Sequence, residues 1–268
     1  MDDSNPKETR KRMRKGIFLL PNLFTTAALF AGFYAIIAAM NSRFEIAAIA
    51  IFLAGLLDGL DGRVARMTNT QSAFGAEYDS LSDMVSFGIA PALIVYMWSL
   101  VYLRDVSNLM GKIGWLAAFV YATSAALRLA RFNTQIGVAD KRYFQGLASP
   151  AAAAVVMGAV WVCESYDIAG QDVTYAALVL TVAAGGLMVS RFPYYSFKDF
   201  DLREKVPFVS LLAVVLVFVF LSIETATVLF SFFFLYMTSG PIVSLFRWNR
   251  KRTRLAESSG DTPPEKTD

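Results

Sequence analysis

Four carboxylates in this chain lie where carboxylates are seldom found. Asp58, Asp61, Asp79 and Asp83 belong to the stretch DGLDGRVARMTNTQSAFGAEYDSLSD, which has apolar sequence on both sides. An isolated ionised carboxylate in such surroundings costs several kcal/mol or neutralises itself, so the four need cations. Asp58 and Asp61 are three residues apart and Asp79 and Asp83 four apart, and on helices each pair projects from one face. Two such faces meeting across a turn make a cage of oxygen ligands, which suits Mg²⁺ or Mn²⁺. The chain has no His and a single Cys, Cys163, so the usual ligands of zinc and haem are missing. Gly62, directly after Asp61, leaves room for a pyrophosphate to come close. Arg66, one helical turn on, can grip phosphate with two donors.

The elements that must position these residues are membrane helices. In 268 residues, 56% are hydrophobic and the mean hydropathy is +0.47, too apolar for a soluble domain of this size and typical of an all-α polytopic membrane protein. About eight apolar runs reach the length needed to span a bilayer: roughly 17–40, 44–62, 82–103, 113–130, 149–165, 173–190, 206–222 and 225–246. The second and third are expected to extend as helices through the acidic stretch. No fixed repeat is visible, so residues 17–246 read as one transmembrane catalytic domain. A basic, interfacial segment precedes it at 1–16, and a polar tail follows at 247–268.

An even number of spans puts both termini on one side. If that side is cytoplasmic, all of the 25 Lys and Arg except Arg43, Arg104 and Lys112 lie inside, as the positive-inside rule requires. The same arrangement puts the Asp58–Asp83 hairpin at the cytoplasmic face, where soluble metabolites and divalent ions are available. Basic residues at that face attract membrane lipid headgroups. Nucleic acid is a poor partner because no soluble fold is present to display them.

Other polar residues near span ends have a structural or a functional use. Asn22 and Thr25, after Pro21, can cap the first helix. Pro91 should bend the third span. Arg128 and Arg131 share a helix face and can either anchor the fourth span or bind one carboxylate or phosphate between them.

The spacing Asp58, Asp61-Gly62, Ala65-Arg66, Gly75, Asp79, Asp83 reproduces the whole D-x2-D-G-x2-A-R-x8-G-x3-D-x3-D signature, and by it the chain resembles the CDP-alcohol phosphotransferases. DSLSDMVSFGIAPA at 79–92, RLARFN at 128–133 and FQGLASPAAA at 144–153 look most like the bacterial and archaeal-type phosphatidylserine synthases of that family. The likeness runs in pieces from about Leu20 to Pro150. Ala28 and Ala148 depart from it, standing where Asn and Pro are expected.

The resemblance implies the family's membrane fold, a homodimer, and transfer of a phosphatidyl group from CDP-diacylglycerol to L-serine with release of CMP. It further implies two Mg²⁺ or Mn²⁺ ions on Asp58, Asp61, Asp79 and Asp83, with Asp83 also accepting the serine hydroxyl proton. Asn22, Thr25, Gly62, Ala65, Arg66, Ser72 and Gly75 would hold the CDP-lipid, and Arg128 or Arg131 the serine carboxylate. A family member using glycerol phosphate or inositol phosphate shares the same acids. A transporter also buries acids in broken helices, but it calls for an internal repeat that the sequence lacks.

Overall fold

The computed structural model describes residues 19–68, 70, 72–134, 143–195 and 222–258. Its helices are α1 (Leu19–Met40), α2 (Phe44–Thr68), α3 (Ala73–Asp83), α4 (Ala90–Trp98), α5 (Leu103–Val106), α6 (Asn108–Thr134), α7 (Ser149–Ser165), α8 (Thr174–Val189) and α9 (Thr225–Ser258). Between α3 and α4 the chain makes a π-helical turn, Met84–Ile89, and after α4 a 3-10 turn, Leu100–Tyr102.

Among the described residues four helical stretches are long and apolar enough to cross a membrane: Pro21–Met40, Ala73–Trp98, Asn108–Thr134 and Thr225–Leu245. The protein is therefore an integral membrane protein. Helices α7 and α8 are apolar but shorter, at 17 and 16 residues. The seventh expected span, 206–222, and the basic segment 1–16 lie outside the described residues. Helix α9 does not stop at 246, where the sequence turns polar, but runs on to Ser258.

Where α1 meets α2 the core is built mostly from small side chains. Ala31, Ala35, Ala38 and Ala39 of α1 are buried together with Ala47, Ala48 and Ala54 of α2, and these two helices lie against each other along their length. Phe30, Phe33, Ile37 and Met40 of α1 point outward instead. Small residues let helix backbones approach closely where lipid gives no hydrophobic drive to association. Gly32 is one such close approach: a Cβ there would lie 2.8 Å from the Ser86 Cα of the π-turn.

The sequence places a bend at Pro91, and the structure adds its mechanism. Proline has no N–H and frees a carbonyl one turn back. The helix answers with the π-turn just before it, in which the Ala90 N–H bonds back to the Val85 carbonyl. The Phe87 carbonyl accepts instead from the Tyr121 hydroxyl of α6 at 3.2 Å.

One departure from an all-helical chain is a two-stranded antiparallel ribbon, β1 (Tyr143–Gln145) with β2 (Pro193–Tyr195). It ties the segment before α7 to the end of α8. Gly146, at φ +84° and packed against the Met188 and Ser190 carbonyls, turns the chain from β1 towards α7. Its N–H bonds to the Phe192 carbonyl at 2.9 Å.

Candidate active site

Helices α2 and α3 are joined by a short turn and both pack on α1, and their acids meet. Asp58, Asp61 and Asp79 can each offer one carboxylate oxygen, all within 4.8 Å of one another. Asp58 is also within hydrogen-bonding reach of Asp83, so the four acids form one group. Two carboxylates about 5 Å apart repel by about 3 kcal/mol at an effective dielectric of about 20. Helix packing holds them there regardless.

The individual oxygens show what is satisfied and what is not. Asp61 is 5% exposed, and its Oδ2 accepts from the Thr25 hydroxyl at 2.7 Å. Thr25 thus reaches the site from α1 and orients a carboxylate. Asp79 Oδ1 is sealed from solvent with no hydrogen-bond partner, one of three such side-chain atoms among the described residues. A buried carboxylate oxygen without a donor calls for a cation. The donor set, all oxygen, fits Mg²⁺ or Mn²⁺.

The loop residues are drawn into the same place. Ser72 is the N-cap of α3 and accepts from the Gly75 N–H at 3.0 Å. A Cβ at Gly75 would lie 3.1 Å from Ser72 Oγ and 3.4 Å from Asn22 Oδ1, so Asn22, Ser72 and Gly75 are neighbours. The Ala65 carbonyl accepts from the Thr70 N–H at 3.1 Å and closes the turn after α2. Gly62 differs from Gly75, because a Cβ there would meet no protein atom within 4 Å. Packing gives no reason for a glycine at that position, whereas a ligand seated against the helix would. Arg66 is exposed, and its Nε donates to the Gly62 carbonyl at 2.9 Å, which draws the guanidinium back over that glycine.

On the other flank, Arg128 and Arg131 have separate partners. Arg128 Nη1 donates to Ser149 Oγ at 3.1 Å, and its side chain is within electrostatic reach of Asp83 and Tyr236. Arg131 Nη2 donates to Gln145 Oε1 of β1. Asn133 Nδ2 donates to Ser80 Oγ at 3.0 Å, next to Asp79.

Sequence reasoning did not single out Ser149 or Tyr236 as parts of the site. Ser149 had a signal, since a serine before Pro150 opens a helix. Tyr236 had none, for it comes from the apolar stretch Thr225–Leu245. Ala28, where Asn was expected, is 2% exposed, and its carbonyl accepts from the Ser86 hydroxyl at 3.2 Å. It belongs to the packing of α1 on the π-turn.

Comparison with known proteins agrees with this geometry. The profile described as CDP-alcohol phosphatidyltransferase matches residues 18–186, which include all four acids. The chain is 38% identical over 203 residues to a CDP-diacylglycerol--serine O-phosphatidyltransferase of Helicobacter pylori, covering 76% of this chain and 83% of the relative. It is 38% identical over 152 residues to a protein of the same name from Methanocaldococcus jannaschii, covering 56% of this chain and 65% of the relative. An archaetidylserine synthase of Methanothermobacter thermautotrophicus is 33% identical over 177 residues, covering 65% of this chain and 69% of the relative.

Proposed function

Because the chain belongs to the CDP-alcohol phosphatidyltransferase family, we propose that it transfers the phosphatidyl group of CDP-diacylglycerol to the hydroxyl of L-serine, giving phosphatidylserine and CMP. The observation that carries this reading is the group of carboxylates around the unpartnered Asp79 Oδ1, in a chain similar to several serine phosphatidyltransferases.

The residues divide the work as follows. Asp58, Asp61, Asp79 and Asp83 would hold two divalent cations. When bound, such ions neutralise the charge of the diphosphate as CMP leaves. Thr25 keeps the Asp61 carboxylate turned to the site. Gly62 lets the diphosphate lie against α2, and Arg66 binds its oxygens. Asn22, Ala65, Ser72 and Gly75 shape the nucleotide side. Asp83 takes the proton of the serine hydroxyl, a role that falls to a carboxylate in a chain without histidine. The serine oxygen then attacks the lipid-linked phosphorus directly, so configuration at phosphorus inverts. Arg128 holds the serine carboxylate, and Arg131, tied to Gln145, supports the cytoplasmic end of α6.

The distribution of Lys and Arg supports a chain of eight spans with the site and both termini cytoplasmic. It also supports a catalytic domain from 17 to 246, flanked by a membrane-surface segment at 1–16 and a tail at 247–268. The family resemblance supports a homodimer. The test is release of CMP from CDP-diacylglycerol by the purified chain in lipid, with Mn²⁺ or Mg²⁺ and one acceptor at a time. Serine is expected to support release. Glycerol phosphate or inositol phosphate doing so in its place contradicts the assignment.

A further inference from the structure

Arg128 is a cation in an unusual position. Its Nε is buried with no partner, and among the described residues the ion pair within 4.0 Å is Arg104 with Asp105, not one made by Arg128. Asp83 acts on this buried charge from a distance, but no carboxylate of the described residues closes an ion pair with it; a buried charge so incompletely compensated is costly, and the guanidinium is poised for an anion that binds from outside. One hydrogen bond fixes its direction, from Nη1 to the Ser149 hydroxyl. Ser149 is fully buried in the first turn of α7, where the N-cap residue, Ala148, offers no side-chain acceptor. The turn is itself held, since the Leu147 N–H bonds to the Leu187 carbonyl at 3.0 Å and Gly146 is bonded to Phe192. Ser149 is therefore a rigid point against which a long, otherwise adaptable side chain is set.

We propose that Ser149 is a positioning residue for the acceptor: it fixes the Arg128 guanidinium beside Asp83, so that Arg128 binds the carboxylate of an amino-acid alcohol with its hydroxyl turned to Asp83. The inference rests on the reading of the site as a serine transferase. It adds that selectivity for a carboxylate-bearing acceptor is set from the α7 side of the bundle, through a residue that does not touch the diphosphate. The start of α7 has no side-chain cap and adds the positive end of a helix dipole beside Ser149.

The test uses the full chain in lipid with Mn²⁺ and compares Ser149→Ala, Arg128→Ala and the double variant by serine KM, kcat and affinity for CMP. Ser149→Ala is expected to raise the serine KM by about tenfold, as befits losing one hydrogen bond to a charged group, while kcat and CMP affinity stay within about twofold. Added to Arg128→Ala it should change the serine KM no further, because the two residues act as one unit. Ser149→Thr, which keeps the hydroxyl, should recover most of the serine affinity. An unchanged serine KM in Ser149→Ala overturns the inference, as does an effect that adds fully to that of Arg128→Ala. A matching loss of CMP affinity also overturns it, by showing a merely structural role. If the unaltered chain releases CMP without any dependence on serine, the parent reading fails, and the inference with it.

Discussion

Thr25 shows how much a single hydroxyl decides at this site. It is buried on α1, and its proton goes to Asp61 across a helix interface, the kind of outer contact that aims a metal-ligating carboxylate. Thr25→Val keeps the shape and removes the donor, and should weaken Mn²⁺ binding about 10- to 100-fold, read by titration; Thr25→Ser should bind nearly as the parent does. Gly62 separates packing from function. With no protein atom near its Cβ position, Gly62→Ala should leave stability unchanged or raise it by about 0.4–1 kcal/mol, while the KM for CDP-diacylglycerol rises. A fall in stability would mean that packing, not a ligand, selects glycine there. Asp83→Asn should abolish turnover and leave CDP-lipid binding largely intact, measured by CMP release and by nucleotide affinity. A variant that keeps most of its rate removes Asp83 from the role of base.

At the scale of elements, the meeting of α2 and α3 was legible because eight fixed residues at fixed spacings cannot be arranged on helices in many ways. The repair of the third span was not. Pro91 announces a break, but only the fold shows that the π-turn at Met84–Ile89 absorbs it and that Tyr121, from a later helix, takes the Phe87 carbonyl. Tyr121→Phe removes that buried hydrogen bond and should cost about 1 kcal/mol of stability, visible as a lower Tm, with the serine KM unmoved. The ribbon of β1 and β2 was illegible for a different reason. Strands of three residues are too short for alternation to show, and their pairing joins segments far apart in the chain.

At the scale of the whole molecule, one seam reverses the usual arrangement of side chains. Alanine fills the interior between α1 and α2 while Phe and Ile face outward, as suits a solvent of lipid. Polar chemistry is gathered at one end, where α1, α2, α3, α6 and α7 each supply a residue. Composition alone gave the membrane class, and the acidic spacing gave the site. Tyr236 stayed hidden because an apolar helix discloses nothing about which of its residues turns inward to Arg128. The central claim is that these five helices are held together so that oxygen ligands repelling one another are kept ready for cations and a diphosphate. The most direct measurement is Mn²⁺ titration of the purified chain in lipid, followed by electron paramagnetic resonance with and without CMP. Binding that tightens when CMP is added and is lost in Asp79→Asn is the result expected. Binding that is absent, or that is the same in the unaltered chain and in a variant with Asp58, Asp61 and Asp79 all changed to Asn, would contradict the account.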